Sequence, residues 1–165
     1  VIPNSRVVLA QLEVPLETIE MAFTQARSNG AVTVLNPAPA RDIPASLLSL
    51  ANIVVPNETE SVAVGGTKQL LQSGVATVVT TLGADGASID TASSTTHIDP
   101  YKVTPVDTVG AGDAFIGATC AELSRGSSIE DAARMGAIAG ALATTVKGAV
   151  PSLPTRQAVL AAQKS

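Results

Sequence analysis

The amino-acid sequence predicts an α/β domain with a mostly parallel sheet flanked by helices. Three observations lead to this prediction. Short apolar runs rich in Val and Ile recur through the first half of the chain, helical stretches separate several of them, and aromatic residues are rare, with two Phe and one Tyr in 165 residues. Strands that alternate with helices predict βαβ units with right-handed crossovers, and small apolar side chains suit helices that pack closely on a parallel sheet.

Four apolar runs have the length and composition of buried strands, at 7–12, 32–35, 53–55 and 75–81. The first helix is predicted over about 16–28, because Asn29-Gly30 is typical of a helix end. Beyond Gly86, short polar runs reach to about residue 103. These runs predict antiparallel strands at an edge of the sheet.

Two later apolar stretches predict packed helices. The stretch 114–123 is apolar on all sides, which is typical of a buried helix, and the Ala-rich stretch 135–146 predicts a second one. A short amphipathic helix is predicted at 157–163. The sequence shows no internal repeat and no second domain boundary, so residues 1–165 are expected to form a single domain.

Composition excludes several classes of partner. The formal net charge is −4 and no basic run occurs, which argues against nucleic acid or an anionic membrane as a partner. Neither a signal peptide nor a long apolar span is evident. Cys120 is the only cysteine and therefore forms no intrachain disulfide. A reducing compartment is the simpler expectation, and we predict a cytoplasmic location.

The most informative segment is 107–115, which passes through Gly110 and Gly112 into an apolar helix and places Asp113 at the start of that helix. Glycine has no Cβ, so the backbone can approach a ligand closely and direct several N–H groups at one point. The dipole of the following helix favours negative charge there. A phosphoryl group would fit this environment, and Asp113 could accept the proton of a hydroxyl nucleophile.

A simpler interpretation stays open at this point, namely a tight strand-to-helix turn in which Asp113 is a capping acid. The glycine spacing fits neither common phosphate-binding loop. Gly110, Gly112 and Gly117 do not form G-x-G-x-x-G, and the chain contains no G-x-x-x-x-G-K-[ST]. The rest of the sequence must therefore decide between the two interpretations.

The segment 107–115 reads Asp-Thr-Val-Gly-Ala-Gly-Asp-Ala-Phe and resembles the carboxyl-terminal signature of the ribokinase-like (PfkB-type) sugar kinases. Within that family, the run Asn-Pro-Ala-Pro-Ala favours the ribokinase branch over fructokinase or adenosine kinase relatives. The resemblance implies a ribokinase-like fold with a Rossmann-like sheet, of which only the carboxyl-terminal, nucleotide-binding half is present, without the front portion and its lid. Five further segments resemble the family in the required order, at 11–13, 36–40, 56–60, 81–86 and 147–152.

The resemblance implies a role for each matching residue. Asp113 would be the catalytic base, and Gly110, Ala111 and Gly112 would form the anion hole. Glu13 resembles a sugar-contacting glutamate and would bind the substrate together with Asp113. The residues implied at the nucleotide are Asn57, Thr81, Gly83, Ala84, Asp85, Gly86 and Gly112.

Two metal sites are also implied by the resemblance. Glu60 would help to hold Mg²⁺ through water, because Mg²⁺ keeps much of its hydration shell. A loop for a monovalent cation, usually K⁺, would use carboxylate, carbonyl and hydroxyl oxygens, which suit a hard cation. Its implied residues are Asp107, Val109, Val146, Gly148 and Ser152.

Structural interpretations stay open beside some of these roles. Asn57 and Glu60 have the spacing of a capping box. Asp107 fits an ordinary turn, and 83–86 fits a hairpin with an Asp-Gly turn. At Ala84 the chain departs from the family, because many ribokinases have a hydroxyl residue there.

A second departure is Gly65-Gly66, which stands in place of a fuller helix. The matching segments lie mostly just after predicted strands: Asn36 follows 32–35, and Asn57 follows 53–55. In a doubly wound sheet, ligands bind beyond the carboxyl ends of the strands, so this placement agrees with a ligand site at that rim.

The resemblance therefore implies an ATP-dependent kinase acting on a sugar primary hydroxyl, with D-ribose converted to ribose 5-phosphate. A kinase for another sugar or a nucleoside stays open, and so does a truncated, non-catalytic fragment that binds nucleotide weakly. The family's complete enzymes are longer than this chain, so the isolated chain is expected to phosphorylate ribose poorly. The resemblance implies sugar and ATP as small-molecule partners, and a homodimer for the full-length enzyme.

Overall fold

The computed structural model describes residues 4–164, and its central feature is a six-stranded sheet. The order of the strands across the sheet is their order along the chain. They are β1 (Val7–Gln11), β2 (Val32–Asn36), β3 (Ile53–Val54), β4 (Thr77–Thr81), β5 (Ala87–Asp90) and β6 (Thr95–Ile98). The predicted α/β architecture, a sheet flanked by helices, is confirmed.

The first four strands pair in parallel, with Val7 opposite Val32, Val34 opposite Ile53, and Ile53 opposite Thr77. Parallel strands end at the same edge of a sheet, so the residues that follow β1, β2 and β3 share one rim. Among the described strands the order does not reverse, so the crevice that marks a doubly wound sheet is not formed by these strands alone.

Helices separate the parallel strands and make up most of the chain after β6. The first, α1, covers the predicted range, and Asn29 ends it before Gly30 at φ +74°. The helices are α1 (Leu16–Ser28), α2 (Ala45–Leu50), α3 (Glu58–Ala63), α4 (Gly66–Gln72), α5 (Ala111–Ser124), α6 (Ile129–Ala143), α7 (Ala149–Ser152) and α8 (Arg156–Gln163).

Several boundaries differ from the sequence-based expectation. α6 begins at Ile129 rather than near residue 135, because the side chain of Ser128 accepts the N–H of Asp131 at 3.1 Å and caps the helix earlier. β4 begins at Thr77, although Val75 just before it is buried in the core. Polar residues after Ile98 form no strand as far as residue 103.

The described residues form two compact units. The first contains residues 4–81 and Ser88–Thr96, and its core gathers side chains from α1, α2, α4 and the parallel strands. Phe23, Leu35 and Leu47 are completely buried there. The single domain expected over residues 1–165 stays a prediction.

The second unit contains Leu82–Ala87 and residues 97–164, and α5 packs extensively on α6 within it. Gly136 and Gly140 of α6 permit this close approach. A Cβ at Gly136 would lie 2.8 Å from the carbonyl oxygen of Phe115, and one at Gly140 would lie 3.1 Å from that of Ala111. In the part of the chain that the structure describes, no helix has the length and apolar character needed to cross a bilayer.

Candidate active site

The start of α5 has the geometry expected of an anion-binding turn. Gly110 adopts a left-handed conformation with φ +81° and precedes the helix, and Asp113 lies exposed in the first turn. The first N–H groups of a helix have no partner within the helix and carry its positive dipole end. The turn therefore places the carboxylate of Asp113 beside the positive end of α5, where the N–H of Ala111 donates to the carbonyl of Thr108 at 3.2 Å.

Gly110 is required at its position for two reasons. Its positive φ disfavours any residue with a Cβ, and an added Cβ would lie 3.1 Å from the Cα of Ala149. Gly112 differs, because a Cβ there would meet nothing within 4 Å. At Gly112, the missing Cβ therefore leaves the backbone accessible to a ligand, and it relieves no clash.

Asp107 fastens the turn to a second loop. Its carboxylate accepts the N–H of Gly148 at 2.9 Å and the N–H of Val109 at 3.1 Å. These two bonds, the one from Gly148 first, lower the pKa of Asp107 below its ordinary value. The carboxylate therefore stays charged. It also links two segments that are distant in sequence, whereas an ordinary turn aspartate bonds only within its own turn.

The residues predicted for the monovalent cation lie on these same two segments. Ser152 is buried, and its hydroxyl donates to the carbonyl of Ala149 at 2.8 Å. Within residues 4–164, no three His, Cys, Asp or Glu side chains come together to hold a metal. A cation here would bind one carboxylate, from Asp107, with backbone carbonyls and a hydroxyl, and that oxygen donor set suits K⁺.

In the first unit, three strand ends are linked by side-chain amides. Gln11 donates to the side-chain oxygen of Asn36 at 2.9 Å, and Asn36 donates to the carbonyl of Val55 at 2.8 Å. Asn36 is only 5% exposed, and a buried amide without partners costs free energy of folding. The two hydrogen bonds orient the amide and offset that cost. Glu13, the predicted sugar contact, follows β1 and is exposed.

Asn57 and Glu60 form the capping box that their spacing predicts. The side chain of Asn57 accepts the N–H of Glu60 at 2.8 Å, and Glu60 Oε2 accepts the N–H of Asn57 at 2.9 Å. Asn57 also pairs with Thr81 at the end of β4, so two residues predicted at the nucleotide are neighbours. The cap uses one carboxylate oxygen of Glu60, Oε2.

The predicted adenosine wall, 83–86, belongs to the second unit and is not a two-residue hairpin. Gly83–Asp85 form a 3₁₀ turn, closed by a bond from the N–H of Leu82 to the carbonyl of Gly86 at 2.8 Å. Gly86 has φ +87°, and a Cβ there would clash with the carbonyl of Ile98. Ala84 and Asp85 are exposed at the tip of this turn.

The structure thus brings the predicted residues together in two groups. Asn57, Glu60 and Thr81 are neighbours in the first unit, whereas the turn before α5, Asp107 and Gly148 are joined in the second. Sequence reasoning placed Asn36 at the ligand rim, because it directly follows a predicted parallel strand, but did not predict its bonds to Gln11 and Val55.

Comparisons with known proteins identify the family of this chain. Residues 4–156 match the model of the pfkB family carbohydrate kinases. The chain is 41% identical to ribokinase from Staphylococcus aureus and 39% identical to ribokinase from Haemophilus influenzae, covering 94% and 96% of itself and 56% of each relative. The structure of Arabidopsis thaliana ribokinase complexed with ribose and ATP matches with a TM-score of 0.90 at 30% identity, over 99% of this chain and 57% of that one.

The chain therefore spans little more than half the length of the curated relatives that it matches. The family match nevertheless extends over almost all of its own residues, including both groups of predicted site residues. This protein belongs to the pfkB family of carbohydrate kinases.

Proposed function

We propose that this chain carries the nucleotide site and the catalytic base of a ribokinase, which transfers the γ-phosphoryl group of ATP to the primary hydroxyl of D-ribose. The observation that carries the proposal is the turn before α5, where Gly110 opens the backbone and Asp113 lies exposed in the first helical turn. Similarity to ribokinases and to a solved ribose and ATP complex supports ribose as the sugar. Since ATP and sugar are cytoplasmic metabolites in such a reaction, we also propose a cytoplasmic location.

In this proposal Asp113 accepts the proton of the sugar hydroxyl while the N–H groups of Gly110, Ala111 and Gly112 receive the charge of the transferring phosphoryl group. Phosphoryl transfer needs little covalent chemistry from the protein, so positioning and charge stabilisation supply most of the rate. The dipole of α5 contributes in the same direction, because its positive end points at the developing charge.

We also propose which residues contact the nucleotide. Asn57 and Thr81 face the phosphates in the proposal, Glu60 supports the hydrated Mg²⁺, and the 83–86 turn contacts the adenosine. A Mg²⁺ ion would neutralise the phosphate oxygens during transfer. Because Ala84 has no hydroxyl, contacts from this turn would come from its backbone.

Residues Asp107 and Gly148 would act indirectly. Their hydrogen bond at 2.9 Å joins the anion-hole turn to the loop before α7. A K⁺ ion among the oxygens of Asp107, Val109, Val146 and Ser152 would supply charge that steadies the same two segments.

A second candidate is a nucleotide-binding fragment without kinase activity. One observation favours it, namely that the chain covers 56% of its ribokinase relatives. The two candidates make different predictions for Asp113, since only a kinase needs a base there.

The test compares Asp113→Asn with wild type in this protein. Asparagine keeps the size and a capping oxygen, so stability should fall by about 1 kcal/mol or less. Ribose phosphorylation should fall by roughly 10²–10⁴-fold, the usual effect of losing a positioned general base. MgATP affinity, measured by calorimetry, should stay close to that of wild type.

The matched control is Asp131→Asn, because Asp131 is also an exposed aspartate in the first turn of a helix. Turnover in this variant should equal that of wild type. Near-normal turnover in Asp113→Asn, with lost stability, would refute the base assignment and favour the structural interpretation.

A further inference from the structure

A side-chain amide connects β2 to β3 beyond their last pair of residues. β3 contains only Ile53 and Val54, and its pairing with β2 ends with Leu35 opposite Val54. One residue further along, the amide of Asn36 donates to the carbonyl of Val55 at 2.8 Å. The side chain of Asn36 therefore adds a connection at the rim, where the short strand β3 offers few of its own.

The chemistry of the partners fixes the orientation of this amide. A carbonyl oxygen accepts hydrogen bonds and cannot donate them, so the NH₂ group of Asn36 must face Val55. The side-chain oxygen of Asn36 then points the other way and accepts from the amide of Gln11 at 2.9 Å. Asn36 thus bridges the ends of β1 and β3, and neither a carboxylate nor an apolar side chain can make both bonds.

Burial makes this bridge costly to break. Asn36 and Val55 are both buried, so water does not readily replace a lost partner of either residue. A buried carbonyl or amide that loses its hydrogen bond carries the full cost of its desolvation. The bridge therefore holds the ends of the three strands in one arrangement.

The bridge also joins two segments with separate proposed roles. Gln11 precedes Glu13, the predicted sugar contact, by two residues, and Val55 precedes Asn57, proposed at the phosphates, by two residues. Each contact residue is thus a short backbone span away from a partner of Asn36. Transfer between two bound substrates depends on their relative placement, and a small misplacement lowers the rate steeply.

We propose that Asn36 is a positioning residue for phosphoryl transfer. Through Gln11 and Val55, its amide sets the placement of the sugar-contacting segment relative to the segment at the phosphates. The inference rests on the proposed function, because it uses the roles of Glu13 and Asn57. Asn36 itself touches neither substrate, so its loss lowers turnover and leaves the binding of each substrate nearly unchanged.

The test uses Asn36→Leu, in which the side chain keeps a similar size but makes neither bond. Its kcat for ribose phosphorylation, per folded molecule, should fall roughly 10–100-fold. Its KM for ribose and its affinity for MgATP should stay within about twofold of wild type. Gln11→Met breaks only the bond to β1 at a half-buried position, and it should lower kcat by a smaller factor. This second variant decides the question if Asn36→Leu does not fold.

The matched control is Asn52→Leu. Asn52 is also a bridging amide in the first unit, and its side-chain oxygen accepts the N–H of Thr33 at 2.9 Å. It directly precedes β3 and therefore lies at the amino ends of the parallel strands, away from the rim. Asn52→Leu should lose stability in urea, as Asn36→Leu does, but should keep the turnover of wild type per folded molecule.

Equal losses of kcat in Asn36→Leu and Asn52→Leu would overturn the proposal, and so would an unchanged kcat with a raised KM for ribose. A wild-type protein that does not phosphorylate ribose would contradict the proposed function instead. The positioning role is then decided by the backbone amide signals of Glu13 and Asn57 in NMR spectra. Asn36→Leu should shift both signals and Asn52→Leu neither, and signals that do not move in Asn36→Leu would overturn the positioning role.

Discussion

Two glycines with positive φ differ in how much space surrounds them. Comparing them distinguishes the conformational cost of adding a side chain from the cost of packing it. Gly110 has φ +81° before α5, and Gly30 has φ +74° after α1. A Cβ at Gly110 would lie 3.1 Å from the Cα of Ala149, whereas one at Gly30 would meet nothing within 4 Å. The first site belongs to the proposed anion hole and the second only ends a helix.

We therefore expect Gly110→Ala to destabilise the chain more than Gly30→Ala does. The left-handed conformation should cost both variants about 1–2 kcal/mol. Gly110→Ala should lose more, because the backbone of Ala149 must also move. Urea unfolding of the two variants measures the difference, and equal losses would show that the turn before α5 does not pack closely on α7.

Single residues also show how far the sequence could predict the site. The capping box of Asn57 and Glu60 depends only on local spacing, and it is confirmed. The bond from the N–H of Gly148 to Asp107 joins residues 41 positions apart, so local spacing could not predict it, although the family resemblance placed both residues in one cation loop. The link from Gln11 to Asn36 likewise depends on strand register, which places these two residues opposite each other.

At the scale of elements, prediction was best where local signals were strong. Asn29-Gly30 marked the end of α1. Between Ala63, the last residue of α3, and Gly66, the first residue of α4, stand only Val64 and Gly65. The start of α6 was missed because its first turn, with Glu130 and Asp131, is polar and does not join the apolar pattern that followed. Capping by Ser128 was the signal that could have found it.

The pair of Glu122 and Arg156 joins α5 to α8 and gives a prediction about pH. The hydrogen bond from Arg156 lowers the pKa of Glu122 below its ordinary value. A carboxyl group with a lowered pKa in the folded state stabilises fully above its unfolded pKa, about 4.3, and this contribution disappears as pH falls through the folded value. Arg156→Gln should therefore destabilise the fold at pH 7, and this loss should shrink as the pH falls through the folded pKa of Glu122.

Urea unfolding at a series of pH values measures this effect. Arg134→Gln is the matched control, because Arg134 pairs with Asp131 at 2.8 Å but both side chains are more than half exposed. That variant should lose well under 1 kcal/mol at any pH. A pH-independent loss in Arg156→Gln would mean that packing of the arginine stem, and not its charge, stabilises α8.

At the scale of the whole molecule, one face of strand β1 is incompletely covered. It pairs only with β2 in the described sheet, and Leu9 is 41% exposed while Val8 and Ala10 face the core. Strands of parallel sheets are normally covered on both faces. Leu9 therefore lies on a face of β1 that the described residues leave partly open.

The overall architecture was predictable from local sequence patterns. Strands and helices alternate along the chain, and the motifs follow one another in a fixed order. The division into two compact units was not, since it depends on contacts between residues far apart in sequence. The hairpin formed by β5 and β6 illustrates this point, because it contributes residues to both units.

The last prediction concerns the chain as it stands. Sugar kinases must keep water from the phosphoryl group, or ATP is hydrolysed instead of transferred. With Asp113 and Gly117 exposed, the isolated chain should turn over ribose at least about 100-fold more slowly than Staphylococcus aureus ribokinase, because neither orientation nor water exclusion is complete. MgATP should still raise the Tm of the chain, since a bound ligand stabilises the folded state. Release of ADP and formation of ribose 5-phosphate should be measured separately, with and without ribose. Ribose phosphorylation at the rate of the longer relative would show that the described residues already form a complete enzyme.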